Sequence, residues 1–334
     1  MVQSFISITF ILMITIIFMS GSCRKIENDE VLMSRESSMT LKGLAILYVF
    51  THHYWQLTLD IYNTHTFIGY VGVTIFLTVA GYVSQKQLKN KGMVSLSYKF
   101  FIKKFIRLYI PYISIKAFLA MWQRKTLYDL IVGIVHIEDD WFLCAITIFY
   151  ILFFVTSKLC YGKHNYLMLL GIVLYIICCG IIGLPPVWYN TSLAFYIGMA
   201  GAEDKGKQFL KLNNIEIIAG VGTLIFGIMT ALRWFVLGVI STLFSVSLGI
   251  LVICYMNRFR TYNKILHWIG NISWEFYLFQ SSILVILGKV ISNNYLVYFI
   301  SGLTMSIVLG YVISNAIGIL LKKSKLDKLF YYIL

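Results

Sequence analysis

The chain has 334 residues and a formal net charge of +14; it is 59% hydrophobic and only 13% charged, with a mean hydropathy of +0.80. A soluble domain is about 45–50% apolar and about 25% charged. A soluble globular protein and a disordered chain are therefore excluded, and apolar runs of this length exclude an outer-membrane barrel of alternating strands.

Eleven apolar runs follow one another, at residues 2–20, 41–59, 67–83, 105–122, 141–157, 166–182, 188–201, 215–232, 234–255, 267–287 and 295–321. Each is read as a membrane-spanning helix, the seventh being the shortest and most polar. Residues 127–137 are apolar but too few to cross a bilayer, and are read as a re-entrant or surface helix on the outer side. Cytoplasmic loops of membrane proteins collect Lys and Arg. If the first run crosses from outside to inside, 23 of the 28 Lys and Arg residues fall in inner segments. Only Lys116, Arg124, Lys125, Arg233 and Lys289 do not. This count sets the N-terminus outside and the C-terminus in the cytoplasm, and it explains the basic balance without nucleic acid. The first run also has the look of a signal peptide, ending in Ser20-Gly21-Ser22-Cys23. No cation precedes it, however, and Arg24 and Lys25 follow it, so it is read as an uncleaved helix. The organisation expected is all-α and polytopic. Residues 1–22 form an extra N-terminal span, 23–40 a cytoplasmic linker, 41–321 a ten-span core and 322–334 a cytoplasmic tail. The six cysteines show no metal-ligand spacing, and no metal site is read.

Ionisable residues inside spans are costly and mark interior cavities. In the second run, Lys42 and His53 are eleven residues apart, roughly 20° past three full turns, so they share a face about 16 Å apart in height. Asp60 continues that stripe toward the outer edge. His52 and His53 are adjacent at this depth, and His52 is rotated by about 100° from His53. Either they bond a neighbouring helix or they act on a substrate; their alignment with Lys42 favours action by His53. In the fourth run, Lys104 and Arg107 project together from the first turn, with Lys103 beside them. That pair is either a basic anchor or an anion site. Lys116 and Glu275 lie in the fourth and tenth runs, at an expected depth near His53. They are read either as an ion pair joining two spans or as groups flanking the imidazole.

These residues sit in motifs that resemble acyltransferase family 3, the integral-membrane O-acyltransferases of bacterial surface glycans. Lys42 and His53 match the family's basic residue, ten residues, then His. Ile75-Phe76-Leu77-Thr78-Val79-Ala80-Gly81-Tyr82 matches its aromatic segment, with Ala80 where Ser is usual. Lys104-Phe105-Ile106-Arg107-Leu108-Tyr109-Ile110-Pro111 matches its basic segment, with Lys in place of the first Arg. Trp141-Phe142-Leu143 matches a further motif. Gly270-Asn271-Ile272-Ser273-Trp274-Glu275-Phe276-Tyr277-Leu278 matches a late one, after which Gln280 replaces a common His. The resemblance covers about residues 36–321. It implies acyl-CoA, usually acetyl-CoA, as cytoplasmic donor and a glycan hydroxyl outside as acceptor.

The residue pattern suits that chemistry. A polyphosphate head needs cations at the inner mouth, which Lys42, Lys103, Lys104 and Arg107 would supply, with Tyr109 next to them. The arm would bring its thioester to the depth of His53. His53, with His52 beside it, would act as general base or form an acyl-imidazole, and Glu275 or Lys116 would assist. On the outer side Asp60, Glu138, Asp139, Asp140 and Trp141 suit sugar hydroxyls and a sugar face. The expected partners are acyl-CoA, a glycan acceptor and membrane lipid, in the plasma membrane. The competing reading is a polysaccharide transporter or export-complex subunit, although the internal repeats usual in transporters are not visible.

Overall fold

The computed structural model describes residues 2–25, 34–58, 67–91, 98–122, 140–159, 163–203, 214–232, 238–291 and 294–323, with a few single positions between 124 and 131. Twelve helices are present among the described residues. They are α1 (Val2–Met19), α2 (Arg35–Thr58), α3 (Ile68–Lys91), α4 (Tyr98–Trp122), α5 (Trp141–Leu159), α6 (His164–Ile182), α7 (Leu193–Ala202), α8 (Ile215–Ala231), α9 (Val239–Arg258), α10 (Lys264–Asn271), α11 (Ser273–Val290) and α12 (Tyr295–Lys323). Two short strands, β1 (Ser22–Lys25) and β2 (Phe259–Tyr262), pair antiparallel.

Every expected run contains a helix, and the fold is all-α apart from the ribbon. By length and composition, five helical stretches can cross a membrane: Ile68–Asn90, Trp141–Leu159, His164–Ile182, Val239–Arg258 and Tyr295–Leu320. The stretches Gln3–Met19 and Ile215–Ala231 are as apolar but shorter. α2 is long enough, yet it carries Arg35, Glu36 and Lys42 and turns most of its face inward, as polar residues at that depth require.

Two expectations need correction. The seventh span is helical over only ten residues. The chain reaches α7 through a 3-10 turn at Pro186–Trp188 and an irregular stretch in which Asn190, Thr191 and Ser192 are fully buried. Non-helical backbone at that depth is tolerated when protein surrounds it. Here Asn190 Nδ2 donates to Ser241 Oγ at 3.1 Å. The tenth span, expected from residue 267, begins at Ser273. Asn263 caps α10 by accepting from the Ile265 and Leu266 amides, and the helix breaks at Ile272, whose φ of −106° and ψ of 9° leave the helical well. β1 opens the segment expected as a linker. Most of residues 127–137 lie outside the described residues.

α10 lies across the first turns of α2. A Cβ on Gly43 would meet the Leu266 carbonyl, and a Cβ on Gly270 would meet the Met39 carbonyl. Only glycine at both positions lets the two backbones approach so closely. Asn263 then ties three elements together: its Nδ2 donates to the Ile17 carbonyl at 2.8 Å and its amide to Thr40 Oγ1 at 3.4 Å. A lone two-stranded ribbon is marginal. This one is held by Ser22 Oγ donating to the Tyr262 carbonyl and by the Thr261 amide donating to Ser37 Oγ.

Contacts sort the helix ends into two groups. At one end lie the ribbon, Gln85 bonded to His164 and Glu203, and Arg258 paired with Glu216 at 2.7 Å. At the other end Gln3 bonds the Thr58 carbonyl, the Tyr54 hydroxyl donates to the Tyr295 carbonyl, and Lys116 meets Asp140. Between the ends, α1, α2, α11 and α12 share an aromatic core. Phe50 meets Phe276 and Phe299 edge-on at 5.9 and 5.4 Å, and Phe10 of α1 meets Phe299 at 4.8 Å.

Candidate functional site

A cavity of about 260 Å³ opens within the basic half of the bundle. Five helices wall it, each with a stripe at helical spacing. α2 supplies Lys42 and Val49, seven residues apart. α3 supplies Val73, Phe76, Ala80 and Gln87, α4 supplies Lys104, Arg107 and Leu108, and α5 supplies Phe142, Ile146 and Tyr150. α11 supplies Ser273, Trp274 and Tyr277 from its first two turns. From Gln87 to Val73 the α3 stripe rises about 21 Å, so the cavity is tall and narrow.

Charge is gathered at its floor. Lys42 of α2 and Lys104 and Arg107 of α4 line one space. Lys104 Nζ stands 4.7 Å from the centre of the Tyr150 ring, a cation–π distance. Arg107 lies in the fields of Arg35, Lys42 and Glu275, and Glu275 also bonds Ser314. Above the floor the walls are aromatic. Trp274 and Tyr277 stack at 5.6 Å, Phe142 meets Tyr277 at 5.3 Å, and Trp274 Nε1 donates to the Leu108 carbonyl at 3.0 Å. That last bond fixes α11 against α4.

His53 stands one turn beyond Val49, past the upper end of the lined cavity. Its Nδ1 is 3.1 Å from Gln56 Oε1. With the amide oxygen facing the ring, Nδ1–H is the donor of this bond and Nε2 is left with its lone pair. A base oriented by a second side chain is the arrangement that activates a hydroxyl. His52 sits differently. Its ring packs directly on Gly69 of α3 and meets the His53 ring edge-on at 5.2 Å. It fills the α2–α3 seam.

Several expected site residues fall elsewhere. Tyr109 is about 200° around α4 from Arg107; its hydroxyl is 3.2 Å from Thr147 Oγ1 and its ring stacks on Phe105 at 5.4 Å, so it joins α4 to α5 and does not line the cavity. The expected pairing of Lys116 with Glu275 is overturned. Because α11 starts at Ser273, Glu275 sits in its first turn at the basic end, while Lys116 is nine residues beyond Arg107 toward the other end. Lys116 Nζ instead pairs with Asp140 Oδ2 at 3.1 Å and lies 5.3 Å from the centre of the Tyr112 ring. Asp140 is thus engaged by a cation. Trp141 is half-buried and edge-on to Phe142 at 5.7 Å. The side chain of Lys103, and Asp60, Glu138 and Asp139, lie outside the described residues. The sequence reading passed over Gln56, Gln87, Tyr150 and Tyr277. Gln56 was findable, since i, i+3 residues on a helix are neighbours.

The Lys116–Asp140 pair has side chains only 25% and 22% exposed. Lys116→Met or Asp140→Asn should each cost about 1 kcal/mol, the upper end for such pairs, and the exchange of Lys116→Asp with Asp140→Lys should restore most of it. Thermal melting of the three variants measures this. Loss of turnover by the exchanged variant at full stability would return one of the two residues to the chemistry.

A family model described as Acyltransferase domain matches residues 39–315. The match takes in all five helical walls of the cavity, and α1 and β1 precede it. No curated protein and no solved structure is matched. With more than four-fifths of its length under this match, the chain belongs to acyltransferase family 3 and is an acyltransferase.

Proposed function

We propose that this acyltransferase is a plasma-membrane O-acyltransferase with a ten-span core, its N-terminus outside and its C-terminus in the cytoplasm. It takes an acyl group, acetyl in this reading, from cytoplasmic acyl-CoA to a hydroxyl of an extracytoplasmic glycan. One observation carries the reading: a tall cavity has three cations at its floor and an oriented histidine one turn past its upper end. The floor suits a polyphosphate. The apolar, aromatic wall suits the thin arm of the donor. His53 Nε2 then takes the proton of the acceptor hydroxyl as its oxygen attacks the thioester carbon. The carbon–sulfur bond breaks, the ester forms, and the proton passes to the departing thiolate. Nothing is oxidised or reduced. Gln56 holds the imidazole in the competent tautomer throughout.

The purified chain in lipid vesicles, given radiolabelled acetyl-CoA and a mixed glycan fraction from bacterial envelopes, should release free CoA thiol and move label into glycan. A transporter or export subunit would leave the thioester intact, and that result would overturn the reading.

A further inference from the structure

Gln280 of α11 is fully buried, with no measurable exposure, and neither its Oε1 nor its Nε2 has a hydrogen-bond partner among the described residues. Native interiors pair nearly all such atoms. An amide that is both orphaned and enclosed either serves a ligand or holds water. Its place in the bundle argues for the ligand.

Neighbouring contacts give its height. Phe276, one turn below Gln280, meets Phe50 of α2 edge-on at 5.9 Å. The carbonyl of Leu284, one turn above, accepts from the Tyr298 hydroxyl at 2.8 Å, and Tyr298 packs on Tyr54 of α2 at 5.4 Å. α2 and α11 both run away from the basic end, so Gln280 stands level with residues 50–54, a stretch that contains His53. Its direction follows from helical geometry. On α11, Tyr277 lines the cavity and Phe276 faces α2. Gln280 is rotated about 60° from Tyr277 toward Phe276. On α2, Val49 lines the cavity and Phe50 faces α11. His53 is rotated about 40° from Val49 toward Phe50. The two rotations are of opposite sense on two parallel helices. Each side chain therefore turns from its own cavity wall toward the other helix, one turn beyond the last lining residue.

We infer that Gln280 is a catalytic residue of this site: its Nε2 donates to the carbonyl oxygen of the acyl group as that oxygen gains charge, opposite the base His53. This rests on the acyl-CoA reading above. In the step, the carbonyl carbon exchanges the thioester sulfur for the acceptor oxygen, and the hydroxyl proton leaves through His53 to the thiolate. Gln280 supplies a donor for the tetrahedral oxyanion and gains or loses no proton. A donor held ready in a water-poor site needs no rearrangement as charge develops, which accounts for an amide kept without a partner among the described residues.

The test is Gln280→Leu, with Gln280→Met as a second shape-conserving variant, in the full chain in lipid vesicles. Loss of one such donor should lower kcat about 10²–10³-fold, with the acyl-CoA KM within about twofold because the floor cations are untouched. Melting temperature should hold or rise, since an unpaired buried amide has been replaced by an apolar group. Unchanged kcat in both variants would overturn the inference and leave Gln280 a hydrated interior amide. So would a clear drop in melting temperature in both, which would mark a structural partner. A parent chain that never cleaves acetyl-CoA sinks the acyl-CoA reading itself and this inference with it. An active parent with active Gln280 variants sinks only the role of Gln280.

Discussion

Changing His53 to Ala should lower kcat by about 10²–10⁴-fold, the range for loss of a positioned general base, with the protein still folded and the acyl-CoA KM nearly unchanged. His53 stands past the upper end of the cavity, far along α2 from Lys42 at the floor, so removing it leaves the donor site intact. The neighbouring His52→Ala should behave in the opposite way. The His52 ring packs on Gly69, so its loss opens space between α2 and α3 and lowers melting temperature, while turnover survives. Gln56→Leu should fall between them, because without the oxygen that accepts from Nδ1 the imidazole can adopt the wrong tautomer. Thiol release and thermal melting on the three variants read these effects separately. A dead His52→Ala beside an active His53→Ala would show that the wrong imidazole has been assigned.

The sequence carried this assignment because helical rotation is set by residue count alone. Lys42, Val49 and His53 fall on one inward stripe whatever packs around them, and the stripe of Lys104 and Arg107 follows in the same way. What the count could not supply was the start of each helix. An unbroken tenth span from residue 267 would put Glu275 deep in the bundle. The break at Ile272 depends on Asn263 capping a separate α10 and on Gly43 and Gly270 seating that helix against α2, which are tertiary facts. The same shift sends Glu275 to Arg107 and leaves Lys116 to Asp140. The cavity roles of Tyr150 and Tyr277 are hidden for another reason. A tyrosine in an apolar run carries no charge to flag it, and only its partners show what it does.

The floor of the cavity supports the second large effect. Lys104→Ala and Arg107→Ala should each raise the acyl-CoA KM by about 10- to 100-fold, the equivalent of about 1.5–3 kcal/mol for a hydrogen bond to a charged group. Arg107 is repelled by Lys42 and Arg35 here and attracted by Glu275. Three cations lining one space, with Arg35 adding to the positive field on Arg107, form a site that a bound polyphosphate relieves. A set of basic anchors meant only for lipid headgroups would have no reason to converge inside the bundle. Lys104 adds its contact with Tyr150, which holds the ammonium at the floor. The two effects should combine to less than their sum, since neighbouring cations share the same phosphates. Added salt should raise the parent KM and flatten the difference between parent and variants, because screening weakens each contact. Glu275→Gln should keep kcat and leave KM equal or lower, as it removes negative charge from the mouth. Initial-rate kinetics at two ionic strengths distinguish the cases. A double Lys104→Ala, Arg107→Ala variant with the parent KM would make these residues membrane anchors and move the donor site elsewhere.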